Sequence, residues 1–115
     1  HKNFIILSGD DETAADWMLH ELAQGVISVT ANIAPKTMQL LCEACFIGDA
    51  VTAQYMQQIL LLLHQRLFVT SNPIPVKWAL HKMGKIAEGI RLPLLPLETQ
   101  HHKYIEEAMQ AALSM

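Results

Sequence analysis

The chain offers two strand-forming runs and no more, and that pairing limits what it can fold into. Phe4-Ile5-Ile6-Leu7 is continuously apolar and breaks at Ser8-Gly9-Asp10-Asp11. A run without alternation suits a strand buried on both faces, as in a parallel sheet. Asp10 and Asp11 supply an N-cap and a first-turn acid, and Thr13 to Ala23 is predicted as a helix. Ala14, Trp17, Met18 and Leu22 recur on one side of it. Gly25-Val26-Ile27-Ser28-Val29 is a second short, β-branched strand. Pro35 then suits the first turn of a helix running to about Ile47, which Gly48 ends. Strand, helix, strand, helix is the rhythm of an α/β fold. Two parallel strands, however, leave both outer edges unpaired and make no stable sheet. The sheet is therefore expected to continue in residues outside this chain. The opening His1-Lys2-Asn3-Phe4 has neither an initiator Met nor a signal peptide and leads almost directly into a strand, as expected for a piece of something longer.

After Gly48 the pattern changes. Ala50 to Val69 is predicted as one long helix, with Met56, Ile59, Leu60, Leu63 and Leu67 as its apolar stripe. Leu61 and Leu62 widen that stripe, which suggests more than one neighbour. Ser71-Asn72-Pro73 breaks the pattern and starts a helix to about Met83, with Asn72 as N-cap, Pro73 in first position and Gly84 as its end. Leu92-Pro93-Leu94-Leu95-Pro96-Leu97 is expected to be extended, since each proline disfavours helix in the residue before it. His101 to Leu113 is the closing helix. The boundary is placed at Gly48-Asp49, giving residues 1–48 as an α/β part and 49–115 as an all-helical domain.

Composition narrows the function classes. With 51% hydrophobic and 17% charged residues, the chain has the make-up of a folded globular protein. Net charge is −3, and Arg66 and Arg91 are far apart, so there is no basic stripe for nucleic acid and no polybasic segment for a membrane. The longest aliphatic run, Ile59 to Leu63, is far short of the ~20 residues of a membrane span. Two cysteines and no more fit a reducing, cytoplasmic setting.

Several motifs invite a chemical reading. Cys42-Glu43-Ala44-Cys45 has redox spacing, but it falls about two turns inside a predicted helix rather than at its N-terminus, where a thiol is activated. No partner pair follows at zinc spacing. Two packed thiols are the better account. His101 and His102, about 100° apart on a helix, converge poorly on a metal and are read as solvated. His20, His64 and His81 have no carboxylate partner recognisable from spacing and are treated as structural. No metal site is expected. Asp10 and Asp11 could be paired catalytic carboxylates, although both sit where a βα loop needs a helix cap. A Schiff-base lysine must be desolvated or lie beside another cation. Of the six lysines, Lys2 precedes its strand, and Lys77 lies in the helical part. Neither is a credible candidate.

Four strings carry a resemblance. They are Leu7-Ser8-Gly9-Asp10-Asp11, then Gly25-Val26-Ile27-Ser28-Val29-Thr30-Ala31-Asn32, then Asn72-Pro73-Ile74-Pro75-Val76-Lys77, then Arg91-Leu92-Pro93-Leu94 with Pro96-Leu97. In this order and spacing the chain resembles the C-terminal part of the dihydrodipicolinate synthases, from about Phe4 to Leu97. The resemblance implies the last two βα units of a (β/α)₈ barrel followed by a helical C-terminal domain. Phe4–Leu7 would be the seventh strand and Val26–Val29 the eighth. It implies a lyase that condenses pyruvate with L-aspartate 4-semialdehyde to 4-hydroxy-tetrahydrodipicolinate, early in diaminopimelate and lysine synthesis. Pyruvate would be held as a Schiff base on a lysine at the end of the sixth strand, with a tyrosine relaying protons. Both would precede this chain, so no catalytic residue is assigned and the chain alone is expected to be inactive.

Two substrate-binding positions carry over by resemblance. Ile27 matches the eighth-strand residue whose backbone carbonyl lines the pyruvate pocket. Gly9 matches the glycine ending the seventh strand. Barrel active sites form at the C-terminal ends of strands, and a glycine permits close approach. The family's Gly-Gly pair before Gly-Val-Ile is replaced here by Glu21-Leu22-Ala23-Gln24, which leaves the helix end open. No cofactor is implied, and a homo-oligomer, tetramer or dimer, is expected. The alternatives are a non-catalytic helical interaction module, an inactive truncated remnant, or another pyruvate-dependent class I aldolase such as N-acetylneuraminate lyase. The aldolases share the fold but generally lack the GVISVTAN and NPIPVK strings together.

Overall fold

The computed structural model describes residues 3–114; the position of Lys2 lies outside them. Five α-helices follow one another: α1 (Asp11–Leu19), α2 (Pro35–Phe46), α3 (Ala50–Arg66), α4 (Ile74–Lys82) and α5 (His102–Leu113). Short 3₁₀ turns at Thr30–Asn32 and Thr99–His101 precede α2 and α5.

The two expected strands meet in register but stop at the first rung. Ser8 and Val26 form one parallel bridge. Ser8 N–H donates to the Gly25 carbonyl at 2.9 Å, and Ile27 N–H donates to the Ser8 carbonyl at 2.8 Å. Gln24 closes the lower end, its N–H reaching the Ile6 carbonyl and its side chain accepting from Ile6 N–H. The expectation of burial on both faces fails for the first run. Ile5 is 72% exposed, and Phe4, Ile6 and Leu7 are also open to solvent. The physical reason is the one the two-strand count dictates: among the described residues no third strand flanks either segment.

Helix boundaries follow local chemistry. Asp10 caps α1 through its side chain, accepting from Thr13 N–H, and Asp49 caps α3 by accepting from Thr52 N–H. α1 ends sooner than its periodicity suggests, at Leu19, because Glu21 takes φ 58°. This left-handed conformation is uncommon outside glycine. It leaves Trp17 and Leu22 about half exposed, while Ala14 and Met18 are buried. Gly48 and Gly84, both at φ 75°, terminate α2 and α4. α4 starts one residue later than expected: Pro73, not Asn72, is its N-cap, with no side-chain cap bond, and Pro75 lies in its first turn. The proline-rich segment bends before it extends, because Leu94 N–H reaches back to the Arg91 carbonyl at 3.1 Å and closes a turn over Leu92-Pro93.

α3 is the central element. It packs against α2, α5 and α1, which accounts for its wide apolar stripe. Leu60, Leu63 and Leu67 are fully buried and meet Leu41, Ala14 and Ile105 in one continuous core. Burying each such leucine contributes roughly 1.5–3 kcal/mol. No helix among the described residues is long and apolar enough to cross a membrane.

Candidate functional site

Gly9 and Ile27 come together where the two extended segments end. The bridge at Ser8 and Val26 sets them side by side, one residue beyond the pairing on each segment. Ile27 is 68% exposed, and its N–H is taken by Ser8. Its carbonyl accepts no hydrogen bond among the described residues. It therefore remains available as an acceptor. At Gly9 the backbone does not take a positive φ, and a Cβ added there would meet nothing within 4 Å among the described residues. The glycine is not required by this chain's own packing. Beside it runs an open groove of about 650 Å³ lined by Ile6, Ser8, Asp10, Trp17 and Leu22. Ile27 is not in its wall.

Behind these two positions lies a buried polar network that spacing alone did not indicate. Asp11 is only 4% exposed, and its Oδ2 accepts from the amides of Val29 at 3.0 Å and Thr30 at 3.1 Å. Thr30, fully buried, places its hydroxyl 2.7 Å from His64 Nδ1. His64 Nε2 lies 3.3 Å from Gln57 Oε1, and Gln57 Nε2 donates to the carbonyls of Asp11 and Glu12. Because the Gln57 amide nitrogen is committed to carbonyls, its oxygen faces His64. Nε2 therefore carries the imidazole proton, and Nδ1 accepts from Thr30. Burial pushes the His64 pKa below its ordinary value, opposed by the charges of Asp11, Glu12 and Asp10. The signal available in the sequence was His64's position four residues after Leu60 and beside Leu63, on the apolar face of α3.

The remaining candidates are used structurally. Asp10 caps α1 and also binds the Thr13 hydroxyl at 2.8 Å, while Asp11 turns inward, so the two carboxylates do not form a pair. Cys42 and Cys45 are both free thiols. Burial raises both pKa values, that of Cys45 to about 11, opposite to the shift that activates a thiol. His102 departs from the solvated reading: its ring stacks on Trp78 with centroids 4.4 Å apart, and its Nε2 lies 3.1 Å from the Leu97 carbonyl. His20 and His81 each bond a nearby carbonyl. Lys77 lines a separate cavity of about 270 Å³ with Trp78, His81, Glu88 and His102, and neither Gly9 nor Ile27 is in its walls. Among the described residues no cluster of three or more His, Cys, Asp or Glu is placed to hold a metal.

Comparison with known proteins follows the same lines. Residues 1–112 match the model of the dihydrodipicolinate synthetase family. The chain belongs to the dihydrodipicolinate synthetase family. Its similarity to other dihydrodipicolinate synthetase family members runs nearly end to end. It is 51% identical over 107 residues to the 4-hydroxy-tetrahydrodipicolinate synthase of Marinobacter nauticus, covering 93% of this chain and 36% of the relative. With the same enzyme of Pseudomonas aeruginosa it shares 52% over 109 residues, covering 95% of this chain and 37% of the relative. Among solved structures it is similar to the chloride-inhibited dihydrodipicolinate synthase of Acinetobacter baumannii complexed with pyruvate. There the TM-score is 0.91 at 50% identity, covering 95% of this chain and 37% of the other. The Thermotoga maritima enzyme gives 0.91 at 36% identity, over 97% of this chain and 38% of the other. The chain thus spans little more than a third of the length of the family members it matches. Its fold is that of their last two βα units and helical C-terminal part.

Proposed function

We propose that this chain is the C-terminal part of a 4-hydroxy-tetrahydrodipicolinate synthase, a Schiff-base lyase of diaminopimelate and lysine biosynthesis. The parent condenses pyruvate with L-aspartate 4-semialdehyde, with the imine-forming lysine and the proton-relaying tyrosine in the preceding residues. Residues 1–48 complete the barrel, and 49–115 form the helical C-terminal domain. Gly9 and Ile27 line the pyruvate pocket, Ile27 through the carbonyl that no donor among the described residues occupies. That carbonyl turns the negative end of a peptide dipole toward the bound keto acid, and Gly9 leaves room for it. The parent works in the cytoplasm, without a cofactor, as a homo-oligomer.

The observation that carries this reading is 50% identity at a TM-score of 0.91 to a synthase complexed with pyruvate, over 95% of the chain. The open apolar segment Phe4–Leu7 supports it, since a preceding strand would cover it. The test is to express the complete reading frame and follow condensation of pyruvate with L-aspartate 4-semialdehyde, with borohydride trapping of the pyruvate adduct. The expected result is turnover and a trapped lysine in the preceding residues. Cleavage of N-acetylneuraminate instead, or no pyruvate adduct, overturns the assignment.

A further inference from the structure

The carboxylate of Asp11, the first residue of α1 and two residues after Gly9, binds the two amides that follow Ser28. Ile27 is therefore tethered on both sides. Its own N–H is held by the Ser8 carbonyl, and the next amides but one, Val29 and Thr30, are held by Asp11. The Ile27 carbonyl lies between these fixed points. Thr30 is in turn held by His64 of α3, and Gln57 of α3 returns to the Asp11 and Glu12 carbonyls. The circuit closes through residues far apart in sequence. It is also costly to keep, because Asp11 Oδ1 is buried with no partner among the described residues, and an unsatisfied buried acceptor is unfavourable. An acceptor that takes two adjacent amides is what this position retains in exchange.

The geometry points to Asp11 and His64 as positioning residues. Asp11 sets the separation of the Gly9 loop from the Ile27 segment. His64, acting through Thr30, locks that segment to α3, so the helical part of the chain aligns one wall of the pyruvate pocket. This rests on the placement of Ile27 in that pocket proposed above. Supporting contacts of this kind govern how accurately a pocket group is held, and misplacement by about 1 Å can cost on the order of a hundredfold in rate.

The experiment uses the full-length parent. Wild-type crystals with trapped pyruvate first test the site: an adduct remote from the Ile27 carbonyl overturns the pocket placement and this inference with it. With the adduct in place, Asp11→Ala is expected to lower kcat/KM for pyruvate by about tenfold or more, within the roughly hundredfold that misplacement can cost, chiefly through a raised KM. Its kcat should fall less, and its trapped-adduct structure should show the Ile27 carbonyl displaced. Thr30→Val, which removes the hydroxyl that binds His64, should shift KM in the same direction, and Thr30→Ser should bring it back toward wild type. This pair decides the matter if Asp11→Ala fails to fold. A lowered melting temperature with pyruvate KM within twofold of wild type in Thr30→Val, at an adduct still touching Ile27, marks the network as merely structural and overturns the inference alone.

Discussion

Ile27 contributes through its backbone in the proposed pocket, so its side chain should matter little to turnover. Ile27→Val keeps β-branching and removes one methylene; at a residue this exposed, the loss should fall at or below the usual ~0.5–1.5 kcal/mol for a buried site. In the parent enzyme kcat/KM should stay within a few-fold, whereas Ile27→Pro, which deletes the N–H given to Ser8, should lose both activity and melting temperature. Abolished turnover in a normally melting Ile27→Val would show that the side chain does the recognising. Gly9→Ala offers the complementary test. Nothing among the described residues lies within 4 Å of the added Cβ, so folding should be almost unaffected, and any rise in pyruvate KM reports directly on the substrate. His64 carries a pH prediction. Burial lowers its pKa from the ordinary 6.5, so the unfolded chain binds the proton more readily than the folded one. The stability contributed by neutral His64 is then complete above about 6.5 and is lost as pH falls toward the folded value. Thermal melts of the parent between about pH 7.5 and 5.5 should show a larger loss in wild type than in His64→Gln; equal losses would assign the effect elsewhere. Sequence offered Gly9 and Ile27 as candidates through a resemblance alone. It did not show Asp11 joining Thr30, because contacts between a loop and a distant turn have no spacing to betray them.

Helices declared themselves at their ends more clearly than the extended segments did. Asp10, Asp49, Gly48 and Gly84 each do locally what their side chains or missing Cβ suit them for, and α2, α3 and α5 lie close to their predicted spans. The errors fell where a local rule was outweighed. Asn72 looked like a cap, but Pro73 takes that place. Leu92-Pro93 looked extended, but its carbonyl neighbour Arg91 closes a turn. His102 looked solvated because Trp78, its stacking partner, is on another helix. α3 is the element on which the rest depends, being packed against α1, α2 and α5 at once. Leu63→Ala, at a fully buried point on its stripe, should therefore destabilise by ~2–5 kcal/mol. Leu62→Ala, one residue away and 42% exposed, should cost much less. Denaturant melts of the two variants check the contrast, and equal losses would mean that Leu62 is covered in the parent.

As a whole molecule, the chain is well packed on its helical side and open along one edge. None of its six lysines lies in Phe4–Asp10 or Gly25–Val29, the segments that end at the proposed pocket. The 115-residue chain treated with labelled pyruvate and borohydride should stay unmodified. A covalent adduct on any of those lysines would overturn the division of labour proposed here. The stretch from Ile5 to Leu7 is apolar and exposed. In the parent proposed above it would be an interior surface, and its complement would be the part that precedes it. Supplied as a separate polypeptide, that preceding part would find the same strand edge and the same apolar side chains that it meets within one chain. Reconstitution of the enzyme from two pieces would then need no covalent link between them, only concentrations sufficient to replace it.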